Sequence, residues 1–332
     1  MKYIIQIGTL YDNYNDMDFG YIGKDLKTGE IHYYAMYDNQ GNYSSHCVTE
    51  FDINQENNWE NLDWHLYHCN YKKDKKTTSN ELPGEILSLI PEMINIHLIY
   101  NKENGYPIEF LTNNSTSLSI EYVNNFSLFG DLGFSGRYIP VQNVIEIPIT
   151  NNEWDNYSDY EKKDAKDVLL HETGHLKVSS HKLDMINKQL NVRTGFFSQV
   201  IKVEPIVLDN GDIFFRSNKI NALNDDNSRI LEEVMNDFEC MQINPDFNPV
   251  YPNVGYMLNE LCDGRLQMAR YYDDGIEELY ESLSKIIKSR DMVDKLLESI
   301  ECTSKSYDFN YEENNSHMMK LLKQYQIIKS CK

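Results

Sequence analysis

Short apolar runs separated by polar turn residues fill the first seventy positions of the chain. Runs of this length, bounded by Gly, Asn and Asp, are typical of β-strands. They lie at residues 3–7, 19–22 and 31–36, and residues 27–29 between the last two predict a hairpin turn. The pattern therefore predicts a small β-rich unit at the N-terminus.

A lysine-rich stretch at residues 71–80 has no apolar periodicity, which favours an exposed loop or linker. We therefore expect a boundary near residue 80, between a β-rich unit at 1–80 and a larger domain at 81–332. In that domain, apolar residues spaced by three and four positions predict a helix over 83–96. Four apolar runs then predict strands, at residues 96–100, 108–111, 118–123 and 144–149.

A second helix is predicted from Ser158 to about residue 177. Ser158 with Glu161 three positions later has the form of a capping box, in which each residue bonds the backbone N–H of the other. This helix closes a mixed α+β lobe at residues 81–180.

Residues 181–332 are predicted to form a hairpin followed by an all-helical lobe. The apolar runs at 200–207 and 213–215 flank Asp-Asn-Gly at 209–211, which is a strong signal for a hairpin turn. From residue 228 to residue 330, apolar positions recur at helical spacing. The expected fold class is α+β.

Composition narrows the range of partners. The formal charge is −21, from 52 acidic and 31 basic residues, so phosphate backbones and anionic membrane surfaces would be repelled. No apolar stretch approaches the roughly 20 residues that cross a bilayer, and the N-terminus lacks the features of a signal peptide. We expect a cytoplasmic protein that binds neither nucleic acid nor membranes. The six cysteines include no CxxC pair, which argues against a thiolate metal site.

The pattern His-Glu-Thr-Gly-His ends the predicted second helix. His171 and His175 are four positions apart, about 40° of rotation on a helix, so their imidazoles project together and can share one metal ion. Glu172 lies about 100° round from His171, beside such an ion, where it could take a proton from a bound water. The spacing predicts a zinc site.

Catalytic zinc takes three protein ligands and leaves a fourth position for water, so a third ligand is required. His181 is one candidate, because it stands where the pattern HExxHxxGxxH has its last histidine. Residue 178 is Val where that pattern has Gly, and a continued helix would turn His181 away from His175.

Carboxylates on a later predicted helix are the stronger candidates. Glu233 and Asp237 lie one helical turn apart, on the face opposite an apolar stripe. If the stripe faces the core, these carboxylates face a cleft. Glu232 is adjacent and is kept as an alternative ligand.

HExxH on one helix and ExxxD on a later one resemble the gluzincins, the thermolysin-like class of HExxH metallopeptidases. The resemblance implies a zincin-like fold in which Glu233 is the third zinc ligand and Asp237 orients one histidine, expected to be His171. It also implies that the strand at 144–149 is the edge strand along which an extended peptide binds. An oxyanion-stabilising side chain is expected from the C-terminal lobe, and the candidates are Tyr251, Tyr256, Arg265 and His317.

The predicted function is that of a zinc metallopeptidase. A zinc-activated water would attack the peptide bond, with Glu172 as general base, and the partner would be a peptide or protein substrate. The alternative is a zinc-containing peptide-binding or regulatory module without turnover. Glu172 favours the enzyme, because a structural site has no use for a base.

Overall fold

A computed structural model of the chain describes most of its residues. The described residues are 1–12, 17–36, 49–51, 62–66, 72–73, 82–122, 136–141, 143–217, 226–249, 253–272, 274–305 and 311–332. Within them the architecture is α+β, as predicted, with two sheets and a helical lobe.

Strands predicted near the N-terminus are confirmed, and they belong to the larger sheet. The strands are β1 (Tyr3–Asp12), β2 (Met17–Asp25), β3 (Ile31–Ala35), β4 (Thr49–Phe51), β5 (Leu62–Leu66) and β6 (Lys72–Lys73). The predicted hairpin turn between β2 and β3 is also confirmed. Asp25 Oδ1 accepts from the Lys27 N–H at 2.7 Å, and Gly29 adopts φ +78°, a conformation that favours glycine.

The same sheet continues with strands from the second half of the chain. They are β10 (Ser179–Asp184), β11 (Gln189–Thr194), β12 (Phe197–Val207) and β13 (Ile213–Ser217). The β12–β13 hairpin turn is confirmed, with Gly211 at φ +83°. β13 pairs with β1 in parallel. Hydrogen bonds of one sheet therefore join residues before position 80 to residues after it. The division at residue 80 stays a prediction.

Two strand predictions are wrong. Residues 96–100 belong to α1 (Gly84–Asn104), and residues 108–111 overlap α2 (Glu109–Thr116). Buried positions of α1 include His97 and Asn101, one helical turn apart, and His97 Nε2 lies 2.8 Å from the carbonyl oxygen of Leu170. Since these buried residues are polar, apolar spacing alone ended the predicted helix too early.

A second sheet lies between α2 and the next helices. It contains β7 (Ser119–Tyr122), β8 (Arg137–Ile139) and β9 (Val144–Ile147), and its strand order is β7-β9-β8. The strands predicted at 118–123 and 144–149 are confirmed, but the second is not an edge. β9 is central, parallel to β7 and antiparallel to β8, and all four of its residues are buried. Of the strands described in this sheet, β8 is an edge strand beside the site.

The predicted capping box opens α4 (Asp159–His175), which follows α3 (Asn151–Asn156). Ser158 Oγ accepts from the Glu161 N–H, and Glu161 Oε2 accepts from the Ser158 N–H at 2.8 Å. Ala165 and Leu169 of α4 are buried against α1. The capping box fixes the start of α4, and packing against α1 fixes one of its faces. The helix ends at the candidate site.

Six helices form the C-terminal lobe in the described part of the chain, as the apolar spacing predicts. They are α5 (Asp226–Ile243), α6 (Val254–Leu261), α7 (Leu266–Ala269), α8 (Gly275–Ile287), α9 (Arg290–Lys305) and α10 (Tyr311–Ser330). The stripe of Leu231, Val234 and Met235 on α5 lies in the core of this lobe. Across all the described residues, we find no helix with both the length and the apolar character of a membrane span.

Candidate metal centre

The last turns of α4 bring two imidazole rings together. The Nε2 atoms of His171 and His175 are 3.2 Å apart, and the two ring planes are nearly perpendicular, at 81°. Both rings are largely shielded, since their side chains are 14% and 7% exposed. The predicted pairing of these residues on one helix face is confirmed.

A carboxylate from α5 completes the group. Glu233 Oε2 lies 2.8 Å from His171 Nε2 and 3.4 Å from His175 Nε2. Ligand atoms held 2.0–2.1 Å from a tetrahedral zinc are about 3.3 Å from one another, so the triangle has the size that such an ion requires. His171, His175 and Glu233 could therefore hold a metal ion.

The hydrogen bonding of His171 also fits a cation. Its Nδ1 lies 2.9 Å from Oδ1 of the buried Asp237. A carboxylate accepts, so Nδ1 carries the proton, and in the neutral ring Nε2 presents a lone pair towards His175 and Glu233. Lone pairs that face each other at this distance repel unless a proton or a cation lies between them. The donor set thus suits a divalent ion with nitrogen and oxygen ligands.

The charges of these side chains also favour a proton between His171 and Glu233. Burial lowers the pKa of His171, but its hydrogen bonds with Asp237 and Glu233 outweigh burial and raise that pKa well above its usual value. Burial raises the pKa of Glu233, yet the neighbouring His175 and His171 bring that pKa well below its usual value. A bound metal ion must therefore displace a proton that these groups share.

Glu172 lies beside this group, held against the edge strand. Its Oε2 accepts from the backbone N–H of Tyr138 in β8 at 2.6 Å. Burial is the largest influence on this carboxyl group and raises its pKa, although His171 and His175 act in the opposite direction. A carboxylate with a raised pKa takes up a proton more readily, as a general base must.

The structure does not bring the two alternative ligands into the group. Glu232 lies on the other side of the His175 ring, where its Oε1 is 3.4 Å from Nδ1, and its carboxylate is bound by Arg270. His181 lies on β10, opposite Val192 of β11, and its ring is close to Lys24.

Three candidates for oxyanion stabilisation lie outside the cavity lining. Tyr256 is 59% exposed and packs against Phe238, and Arg265 pairs with Glu278 at 2.9 Å. His317 is exposed on α10, and none of these three lines the cavity beside the histidines. Tyr251 lies outside the described residues.

A cavity of about 260 Å³ opens next to His175, between β8 and α5. Its apolar wall consists of Ile139, Pro140, Val141, Val192 and Phe197. Sequence reasoning missed two charged residues of its lining, Arg137 and Arg229. Arg229 stands four positions before Glu233 on α5. Helical spacing alone therefore predicts that both side chains lie on the same face of this helix. Arg137 was not visible in this way, because its position depends on the pairing of β8.

No protein-family model matches the chain, and comparisons with curated proteins and with solved structures also find no match. The functional inference therefore depends on the geometry of the site.

Proposed function

We propose that this protein is a zinc-dependent metallopeptidase with the ligand arrangement of the gluzincins. The observation that carries the proposal is the convergence of His171, His175 and Glu233 on one point, with Asp237 bonded to the far side of the His171 ring. Two nitrogens and one carboxylate oxygen, with access left for water, are the ligand set of a catalytic zinc site.

In this proposal the three ligands hold the zinc ion and Glu172 transfers the protons. A bound zinc ion would lower the pKa of a coordinated water towards about 7 and polarise the peptide carbonyl. Glu172 takes the proton of the water as the oxygen forms its bond to the carbonyl carbon, and gives a proton to the amine as the C–N bond breaks. The Tyr138 N–H donates to Oε2 of Glu172 and fixes the position of this carboxylate at β8.

The edge strand and the cavity supply a place for a peptide. β8 passes Glu172 at Tyr138, so a chain lying along β8 would place its backbone beside the proposed base. The neighbouring cavity of about 260 Å³ is smaller than the roughly 300–1,000 Å³ of sites that enclose a whole small ligand. It suits one side chain of a longer substrate.

Zinc content tests the metal site. We expect stoichiometric zinc in the purified protein, and we expect His171→Gln to lose it because two ligands bind zinc far more weakly than three. His181→Gln is the matched control, since this histidine lies outside the group, and it should keep its zinc. Elemental analysis of the three proteins makes the comparison. Zinc retained by His171→Gln at the wild-type level would rule out this site.

Turnover tests the role of Glu172. Glu172→Gln should bind zinc normally, because the residue is not a ligand, but lose roughly 10²–10⁴-fold in peptide hydrolysis, the usual contribution of a general base. Cleavage of a diverse peptide library by both proteins measures the effect. Equal cleavage would contradict the assigned role, and absence of cleavage in both would favour a zinc-containing binding module.

A further inference from the structure

Four charged side chains that the proposed hydrolysis does not use lie buried behind the two histidines. They are Lys177, Glu232, Glu239 and Arg270, and each is at most 1% exposed. Two are cationic and two are anionic, so their charges balance. Buried ion pairs rarely add net stability over apolar residues of similar size, because desolvation offsets the attraction. Their position at the metal centre suggests a functional reason for them.

The carboxylate of Glu232 is held by two separate segments of the chain. Arg270, which follows α7, binds both of its oxygens, with Nε 3.1 Å from Oε2 and Nη2 in contact with Oε1. The backbone N–H of Phe196, in the β11–β12 turn, also donates to Oε2, at 3.3 Å. Gly195 adopts φ +56° in the same turn, and a Cβ at that position would collide with the carboxylate.

One ring nitrogen of His175 faces this fixed carboxylate. His175 Nδ1 is buried and makes no hydrogen bond of normal geometry within the described residues, and Glu232 Oε1 lies 3.4 Å from it, within ion-pair distance. On the opposite side of the ring, Nε2 faces Glu233. The Nδ1 atom of each histidine thus faces its own carboxylate, Asp237 for His171 and Glu232 for His175. The Nε2 atoms of both histidines face Glu233.

We propose that Glu232, anchored by Arg270, is a positioning residue for His175; the proposal rests on the proposed zinc site but not on turnover. Glu232 keeps the proton of His175 on Nδ1, so that Nε2 offers its lone pair to the metal. Asp237 does the same for His171. The guanidinium offsets the negative charge of Glu232 and prevents this carboxylate from turning towards the metal.

Arg270 is itself fixed from the opposite side. Its Nη1 lies 2.8 Å from Glu239 Oε2, which also contacts Lys177. Its Nη2 donates to Asn236 Oδ1 at 3.2 Å, and the Asn236 amide donates to the carbonyl oxygen of His171 at 2.7 Å. A single guanidinium therefore connects the backbone of one metal-binding histidine with the ring of the other.

Zinc affinity of Glu232→Gln tests the proposal. The substitution keeps the shape of the side chain and removes its charge, and we expect zinc affinity to fall about 10–100-fold, as when other outer partners of metal ligands are removed. Competition with a chromogenic chelator measures the affinity. Glu204→Gln is the matched control, because Glu204 is a β12 carboxylate that also pairs with an arginine, Arg216, but lies outside the ligand group and does not line the cavity. It should leave zinc affinity unchanged.

A spectroscopic readout separates positioning from a general loss of stability. In zinc-loaded protein labelled with ¹⁵N-histidine, the Nδ1 proton of His175 should move upfield in Glu232→Gln, because a neutral acceptor replaces a carboxylate. The Nδ1 proton of His171, bonded to Asp237, is the internal reference and should not move. Should Glu232→Gln fail to fold, Glu232→Asp keeps a charge for Arg270 but shortens the reach to His175, and the same two changes are expected.

Three outcomes would overturn the proposal. In either variant, an unchanged zinc affinity or an unmoved His175 resonance would remove the positioning role. Complete loss of zinc at saturating concentration in Glu232→Gln would instead make Glu232 a ligand. Wild-type protein that binds no zinc would overturn the proposed function itself, whereas zinc binding without peptidase activity leaves the positioning role intact.

Discussion

Individual glycines decide how closely the polar groups of the candidate metal centre can approach the backbone. Gly195 lies against the Glu232 carboxylate, and Gly174, inside the His-Glu-Thr-Gly-His pattern, lies against Asn236. A Cβ at either position would collide with the polar atom that faces it. A side chain at either position would therefore displace a polar group of the site.

We predict that Gly195→Ala lowers both stability and zinc affinity. A non-glycine residue in the left-handed region costs about 1–2 kcal/mol, and here the new methyl group also displaces Glu232. Gly211→Ala is the matched control, since Gly211 has φ +83° but nothing lies within 4 Å of its Cβ position. Denaturant unfolding and chelator competition should show a similar backbone penalty in both variants and weaker zinc binding only in Gly195→Ala. Equal zinc affinity in the two variants would contradict the contact with Glu232.

Two helices supply the whole proposed ligand set. α4 contributes the histidines, and α5 contributes Glu233, 62 positions after His171. The capping box at Ser158 fixes where α4 starts, and therefore which residues reach its last turn. The Asn236 amide bonded to the carbonyl oxygen of His171 sets the distance between the helices at the level of the site.

Close packing of α4 on α5 predicts a cost for Gly174→Ala. Alanine is a better helix former than glycine by about 1 kcal/mol, but overpacking a tight contact costs about 1–3 kcal/mol, so the net effect should be destabilising. Gly84→Ala in α1 is the control, because nothing lies within 4 Å of a Cβ there, and it should be neutral or stabilising. Urea unfolding of both variants measures the difference. A stabilised Gly174→Ala would mean that the helices are not in contact at this point.

On the scale of the whole molecule, the candidate metal centre lies where five parts of the chain meet. β8 holds Glu172, the β11–β12 turn and Arg270 hold Glu232, and the two ligand helices join between them. Residues from 138 to 270 thus contribute to one site, which exists only in the folded chain. A metal ion bound there must stabilise the folded state relative to the unfolded one.

Removal of zinc should lower the unfolding temperature of the entire protein. At a free zinc concentration of about 1,000 times the dissociation constant, binding adds about 4 kcal/mol to the free energy of unfolding. Calorimetric scans with zinc and with a chelator measure this shift. His171→Gln should unfold at the same temperature in both conditions. A zinc-dependent shift of equal size in His171→Gln would place the stabilising metal elsewhere.

Local signals were sufficient for much of the fold. The capping box of α4, the glycine turn at Gly211 and the apolar stripe of α5 involve residues within a few positions of each other, so spacing predicts them. The second half of α1 was missed because its buried face includes His97 and Asn101, whose polarity is explained only by partners elsewhere. The central place of β9 was missed because strand order depends on pairing between distant segments.

Spacing along one helix was enough to place His171 and His175 together and Glu172 beside them, because helical geometry does not depend on the rest of the chain. It could not choose between Glu232 and Glu233, which project about 100° apart on α5. The packing of α5 between α4 and Arg270 distinguishes the two. Glu233 faces the Nε2 atoms of the histidines, and Glu232 binds the buried guanidinium of Arg270, 38 positions later in the chain. Adjacent residues of the same type received different environments because their partners come from different, distant parts of the fold.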